Sequence, residues 1–360
     1  MAARVMVMAG GTGGHVFPAL AVAQELRAQG WEVTWLGTPD SFEARTVPQY
    51  GFPIEWVQSF RLRGQGVFSL LLAPFRMLRA MLQAWRVLRR QRPQVVLGMG
   101  GFVTGPGGLV SWLLRTPLVI HEQNTIPGMT NRYLARIADR VLEAFPGAFE
   151  QDAAAEAVGN PVRAEIAALP EPAERFAGRE GPCRLLVLGG SLGAQALNVM
   201  LPQALAMLPE HRRYEVRHQA GRGKADVTQA AYRAAGVEAR VSDFLNDMAE
   251  AYAWADLVIC RAGALTISEL TSAGIAAILV PFPHAVDDHQ THNARFLSDA
   301  GAACLLPQQQ LDPDALATLL GGYCDDRTQL LKMAEAARRL AQPAATSRVA
   351  AVCAEVKRHD

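Results

Sequence analysis

Residues Arg4-Val-Met-Val-Met-Ala-Gly-Gly-Thr-Gly-Gly-His15 open the chain, and Arg184-Leu-Leu-Val-Leu-Gly-Gly-Ser-Leu-Gly-Ala194 repeat the arrangement 180 residues later. Each is a short apolar run ending in glycines. A run with no polar alternation reads as a parallel strand covered on both faces, and glycines just beyond it let the backbone turn into a helix. In the first copy Pro18 reads as an early helix residue, Leu20, Val22, Ala23 and Leu26 supply the apolar stripe, and Gly30 closes the helix. Further apolar runs at 32–37, 95–98, 118–120, 257–260 and 277–280 alternate with helix-like segments. That alternation predicts an α/β protein with doubly wound parallel sheets. The stretch 158–163, followed by 169–182 with its Pro and Glu residues, reads as a joint. The expectation is two Rossmann-like domains, 1–160 and 161–340, facing each other across a cleft, with 341–360 as a final helix returning to the first.

Composition narrows the class. The 360 residues are 50% apolar and 19% charged, which excludes a disordered chain. Lys plus Arg number 35 against 34 Asp plus Glu, so no overall charge excess points to nucleic acid. The balance is a cancellation. Residues 61–92 hold eight arginines and no acid, leaving the rest with 27 bases against 34 acids. Cys183, Cys260, Cys304, Cys324 and Cys353 are odd in number and without CxxC spacing, as in a reducing cytoplasm. No apolar segment at the start reads as a signal peptide. Residues 93–114 carry no charge over 22 positions, yet six glycines and two prolines make a strand and glycine-rich loop the better reading than a membrane span.

A glycine turn leading into a helix presents unpaired amides and the positive end of the helix dipole, and so suits an anion. The first copy lacks the third glycine of GxGxxG, its second strand ends Leu36-Gly37-Thr38 without an acid for a ribose, and no GxxxxGK[ST] loop is present. No dinucleotide or ATP cofactor is therefore expected. The alternative, glycines that serve only tight turns, stays open. In the second half a strand runs into Arg261-Ala-Gly-Ala-Leu-Thr266-Ile-Ser-Glu269, which predicts a helix from about Leu265 to Gly274. Its N-terminus suits a diphosphate. Glu269 could accept from a ribose diol or could simply be an acid near a helix start.

His15 stands at the carboxyl side of the first strand, where open α/β sheets bind ligands, and an imidazole is the usual group for taking a hydroxyl proton near neutral pH. It could also cap the turn. Glu122, in His121-Glu-Gln-Asn124, is a second candidate base, decided by its burial. The cluster His284, Asp287, Asp288, His289 and His292 has metal-binding residue types without a clean i, i+4 histidine pair. Asp312-Pro-Asp314 reads as a capped helix start. No metal site is expected.

The segments 10–15, 98–108, 121–124, 159–163, 189–191 and 261–269 resemble, in order, the MurG family of bacterial N-acetylglucosaminyltransferases, and the likeness extends from residue 4 to at least 300. The resemblance implies a GT-B fold and inverting transfer of N-acetylglucosamine from UDP-N-acetylglucosamine to the C4 hydroxyl of undecaprenyl-pyrophosphoryl-N-acetylmuramyl-pentapeptide. His15 would be the base, with Glu122 and Asn124 orienting the substrates. Donor contacts carried over are Thr12, Gly13, Gly14, Asn124, Arg163, Ser191, Leu245, Ala264, Leu265, Thr266, Ile267, Ser268, Glu269 and Gln290. The sequence departs from the family where Ala276 replaces a common proline and where 284–290 is one residue longer, which bears on Gln290. Other readings are a different lipid or natural-product glycosyltransferase of this fold, a UDP-N-acetylglucosamine 2-epimerase, and a nucleotide-sugar-binding protein without turnover. The family also implies work at the cytoplasmic face of the inner membrane, with cell-wall synthesis proteins as partners.

A membrane contact is legible as well. Phe75, Leu78, Met81, Leu82, Trp85 and Leu88 recur at helical spacing, with Arg76, Arg79, Gln83, Arg86 and Arg90 on another side, just after an apolar segment. The expectation is that 78–88 packs its apolar side on the sheet. Val67, Phe68, Leu70, Leu71, Leu72 and Phe75, with Arg76 and Arg79, are expected to face an anionic membrane.

Overall fold

A computed structural model describes residues 2–58, 72–149, 154–190 and 192–358. The chain divides into two compact units, Met1–Arg163 with Pro343–Asp360, and Ala164–Gln342. Among the described residues the first unit has a parallel sheet of β1 (Arg4–Met8), β2 (Glu32–Gly37), β3 (Ile54–Trp56), β4 (Val95–Gly98), β5 (Leu118–Glu122), β6 (Arg140–Glu143) and β7 (Glu156–Ala157), in the order β3-β2-β1-β4-β5-β6-β7. The second has β8 (Arg184–Leu188), β9 (Glu215–Gln219), β10 (Arg240–Ser242), β11 (Leu257–Cys260), β12 (Ala276–Leu279) and β13 (Ala303–Leu305), in the order β10-β9-β8-β11-β12-β13. The first six strands of each unit follow one pattern, as two related α/β domains should. Strand order reverses beside the first strand of each sheet, between β1 and β4 and between β8 and β11. There the connections leave in opposite directions and the carboxyl ends of the strands are left open to a ligand.

The core follows from period-two alternation. In β1, Val5 and Val7 join one buried cluster, and Met6 and Met8 join another on the opposite face. Helices described in this unit include α1 (Gly13–Ala28), α2 (Phe42–Thr46), α3 (Ala73–Gln91), α4 (Thr104–Leu113) and α5 (Met129–Leu134). The first cluster takes Leu20, Val22 and Leu26 from α1, and the second takes Ala80, Ala84, Val87 and Leu88 from α3. The final helix, Ala345–Val356, adds Val349, Val352 and Cys353 to the α1 side. It is tied there by Arg348 on Glu156 at 2.6 Å and by the Lys357 ammonium 5.5 Å from the Trp31 ring.

Pro18 lies early in α1, as its sixth residue, because the helix begins at Gly13 immediately after the glycine turn. Lacking an N–H, it withholds the intrahelical donor from the Gly14 carbonyl. In α3 the side turned inward is the small one, with Ala80, Ala84, Val87 and Leu88 buried, and Met81 and Trp85 part-buried beside them. Leu78 and Leu82, expected to pack on the sheet, are 56% and 51% exposed, and Phe75 is 72% exposed. Small residues let α3 approach α4 closely, which rotates the large apolar residues outward. Leu72, Arg76 and Arg79 are exposed as well. Val67, Phe68, Leu70 and Leu71 lie outside the described residues. No helix among the described residues is long and apolar enough to cross a membrane.

The second unit carries α6 (Gln195–Ala206), α7 (Ala225–Ala234), α8 (Met248–Trp254), α9 (Ala264–Ala273), α10 (His289–Ser298), α11 (Pro313–Asp325) and α12 (Arg327–Arg339). Asp312 caps α11, with its Oδ1 accepting from the Ala315 amide at 2.9 Å. The acid of the DxD-like sequence is thus used in starting a helix.

Candidate active site

The first unit builds its site from the loops after β1, β4 and β5. Met8 lies opposite Gly98, so the two glycine loops leave the sheet side by side, and the Gly10 amide donates to the Gly100 carbonyl at 3.2 Å. Gly100 has φ +94°, and a Cβ there would lie 2.7 Å from His15 Nδ1. Gly101, at φ +91°, would place a Cβ 2.4 Å from the Gly10 carbonyl oxygen. These glycines exist because the loops touch, and they leave a slot for the His15 ring.

Beneath the first loop lies Glu43, 1% exposed, which sequence reading missed. Its carboxylate accepts from the Gly11 amide at 2.9 Å and from the Thr38 amide at 3.1 Å. The Gly11 amide is therefore spoken for, and a buried carboxyl group underlies the turn. The amides this loop presents to a ligand lie further on, at Gly13 and Gly14 in the first turn of α1. Thr12 is the residue before that turn, and its side chain makes no capping bond to the helix.

The strand before His121-Glu-Gln-Asn124 runs two residues further than expected, through Glu122, because β6 pairs with it there. His121, Glu122 and Gln123 are consequently buried, at 0–1% exposed, rather than presented to solvent. Glu122 accepts from the Asn124 amide at 2.9 Å, Asn124 Nδ2 at 3.1 Å, the Gly128 amide at 3.1 Å and Asn131 Nδ2 at 2.9 Å. A carboxylate holding four donors is committed to shaping the loop that carries Asn124. That geometry leaves His15, part-buried beside the opening, as the better-placed of the two candidate bases. His121 Nε2 lies 2.9 Å from the Gly159 carbonyl, and Gln123 lies between His121 and His15, with Nε2 3.1 Å from His121 Nδ1 and Oε1 2.8 Å from His15 Nδ1. Burial pushes the His121 ring down to about 4, against the opposing effects of the Gly159 bond and the Glu122 charge, so it is neutral at pH 7.

Past Gly159 the chain passes through Asn160, 4% exposed, whose amide finds no hydrogen-bond partner among the described residues. An unmade hydrogen bond of a buried group costs about 1–3 kcal/mol, so a water or a ligand is expected to complete it. Three residues on, the Arg163 guanidinium lies 5.4 Å from the Phe17 ring of α1. Thr12, Gly13, Gly14, His15, Glu122, Asn124 and Arg163 therefore all belong to the carboxyl-end face of this one sheet.

In the second unit the corresponding position is the end of β11. Gly263 precedes α9 with no side-chain cap and no acid in the first turn, so the amides of Ala264, Leu265 and Thr266 are suited to an anion. Ile267 is buried in the core, and Ser268 Oγ donates to the Ala264 carbonyl at 3.0 Å, so those two side chains serve the helix. Glu269 is 4% exposed, with one oxygen accepting from the Tyr252 hydroxyl at 3.1 Å, which sets its rotamer. Tyr252 is a partner that sequence did not suggest. Burial, with the Glu269 charge adding to it, pushes the neighbouring Cys260 thiol up to about 12, so it is a neutral packing residue. Leu245 sits half-buried in the loop after β10. Gln290 Oε1 accepts from the Phe282 amide at 2.9 Å and so pins the loop that the longer 284–290 segment forms. Ser191 lies outside the described residues.

Comparison with known proteins finds a counterpart for each of the two units. The glycosyltransferase family 28 N-terminal domain matches residues 5–143, and the family's C-terminal domain matches 184–349. A Marinobacter nauticus protein named UDP-N-acetylglucosamine--N-acetylmuramyl-(pentapeptide) pyrophosphoryl-undecaprenol N-acetylglucosamine transferase is 58% identical over 98% of this chain and 97% of its own length. A Dechloromonas aromatica protein of the same name is 56% identical over 99% of both chains. The crystal structure of Acinetobacter baumannii MurG superposes with a TM-score of 0.84 at 42% identity, covering 98% of this chain and 99% of that one. A putative UDP-N-acetylglucosamine 2-epimerase from Listeria monocytogenes shares the fold alone, with a TM-score of 0.66 at 18% identity. With both of its domains matched in order and relatives of one name aligned along nearly its whole length, the chain belongs to glycosyltransferase family 28, within the MurG group.

Proposed function

We propose that this protein transfers N-acetylglucosamine from UDP-N-acetylglucosamine to the C4 hydroxyl of N-acetylmuramic acid in undecaprenyl-pyrophosphoryl-N-acetylmuramyl-pentapeptide. The observation that carries the proposal is the full-length relationship to transferases of that name. The step is a single displacement with inversion. The acceptor oxygen bonds to the anomeric carbon, the bond from that carbon to UDP breaks, and the hydroxyl proton passes to His15. UDP departs with the bonding electron pair, and its diphosphate charge is met by amides such as those that open α9. Arg163 adds a second fixed positive group for the donor. Glu269, preset by Tyr252, is suited to the ribose diol, and Asn124, held by Glu122, to the sugar.

The test is turnover with donor and the lipid-linked acceptor, or a soluble analogue of it. His15→Ala is expected to lower kcat by about 10²- to 10⁴-fold, the usual contribution of a general base. A kcat within a few fold of wild type would remove His15 from that role. Formation of the manno epimer from donor alone would overturn the transferase reading. We further infer that the outer side of α3, with Phe75, Leu78 and Leu82 flanked by Arg76 and Arg79, meets an anionic membrane, consistent with a lipid-linked acceptor.

A further inference from the structure

The contacts around His15 determine more than its position. The Gly159 carbonyl can only accept a hydrogen bond, so His121 Nε2, 2.9 Å away, carries the ring proton. His121 is neutral, and its Nδ1 is then a bare lone pair that accepts from Gln123 Nε2 at 3.1 Å. A second obligate acceptor agrees: Gln123 Nε2 also donates to the His121 carbonyl at 3.1 Å, which fixes which end of the amide is nitrogen. Gln123 Oε1 therefore points at His15 Nδ1, 2.8 Å away, and can only accept. His15 Nδ1 must be the protonated nitrogen.

We propose that Gln123 is a positioning residue for the transfer reaction, locking neutral His15 in the Nδ1–H tautomer so that the lone pair is on Nε2. A hydrogen-bond chain anchored on the Gly159 and His121 carbonyls thereby dictates which ring nitrogen of His15 is basic. Both Gln123 and His121 are buried from water, which would otherwise compete for these bonds. An amide oxygen opposite Nδ1 also differs in effect from a carboxylate. It orients the ring and strengthens its bond when the ring becomes charged, without placing a negative charge beside it. Gly100 keeps the other side of the ring clear, since any side chain there would collide with Nδ1 and Cε1. The assignment of Gln123 to turnover rests on His15 being the base; the assignment of the tautomer does not.

The experiment is nitrogen-15 NMR of histidine-labelled full-length protein at a pH where the His15 ring is neutral, with His15→Ala identifying the signals, alongside steady-state kinetics. Wild type is expected to show a protonated Nδ1 and a bare Nε2 at His15; the reverse would overturn the proposal. Gln123→Met, which removes the acceptor at similar length, is expected to shift the ring toward the other tautomer. It should lower kcat about ten- to a hundredfold, part of what a general base contributes, while the donor KM stays within about threefold. An unchanged tautomer or an unchanged kcat in that variant would overturn the assignment. Gln123→Glu, held as the neutral acid by burial with its O–H toward the His121 acceptors, keeps an acceptor oxygen at Nδ1 and should retain the tautomer and recover part of the turnover; loss of both would count against it. Should Gln123→Met not fold, the wild-type and Gln123→Glu spectra decide. If the tautomer behaves as stated while His15→Ala retains full turnover, the base assignment fails and the lock stands.

Discussion

Glu122 accepts four hydrogen bonds and is 1% exposed, whereas His15 is part-buried at the opening of the same face. The difference separates their roles experimentally. Glu122→Gln puts an amide nitrogen against donors and leaves at least one of them unmet, at a cost of about 1–3 kcal/mol. It is expected to lower the melting temperature by several degrees and kcat only in proportion to the disturbance of Asn124. A large fall in kcat with an unchanged melting temperature would instead make Glu122 the base. Sequence reading reaches His15, Asn124 and Glu269 because each stands directly after or within a recognisable strand–glycine–helix segment. It misses Gln123 and Glu43 because their roles depend on contacts 108 and 32 residues away, with His15 and with Gly11. No local pattern encodes those distances. Asn160 is invisible for the same reason, since only burial shows that its amide is unmet.

At the level of elements, the strands and the long helices follow from unbroken apolar runs and caps, and the rotation of α3 does not. Periodicity says which residues share a face of the helix; it does not say which face goes inward. Large apolar residues would normally point to the core, but the neighbouring helix α4 is approached through alanines, so Ala80 and Ala84 turn inward. This gives opposite expectations for two changes on one helix. Ala84→Leu, at a fully buried position, overpacks the contact and should cost about 1–3 kcal/mol by urea unfolding. Replacing both Leu78 and Leu82 with Glu should leave that stability within about 0.5 kcal/mol. The same double variant should float poorly with anionic vesicles, because it removes inserted apolar surface and adds charge that the lipid repels. Undiminished flotation would exclude this face as the contact. A larger destabilisation by the Glu pair than by Ala84→Leu would show that the helix is rotated the other way.

For the whole molecule, the near-zero net charge conceals one strongly basic stretch, and the two sheet orders show one topology used twice. The repeated motif at residues 4 and 184 announces that duplication because both first strands must be apolar on two faces and must end in a turn. Each unit also buries a neutral histidine, His121 in the first and His218 in the second. His218 Nε2 lies 3.1 Å from Asn198 Oδ1 and Nδ1 lies 2.9 Å from the Tyr232 hydroxyl. Asn198 Nδ2 donates to the Ala220 carbonyl at 3.0 Å, so its oxygen faces the ring and Nε2 is the protonated nitrogen. Burial pushes His218 down to about 3 and, as the largest effect, His121 to about 4. An unfolded histidine titrates near 6.5, so as pH falls below that value the unfolded chain takes up protons that these two sites refuse. The stability they confer is complete above pH 6.5 and is lost on acidification toward 4 for His121 and toward 3 for His218. The loss is about 1.4 kcal/mol per pH unit for each histidine. Between pH 6.5 and 5, above the usual range of carboxylates, that amounts to about 2 kcal/mol per site. His218→Gln removes the titrating group from the second unit alone. Urea unfolding at pH 6.5 and 5 should therefore show that unit losing about 2 kcal/mol less in the variant than in wild type, whatever the variant's starting stability. Equal losses would mean that His218 accepts its proton without unfolding the domain around it.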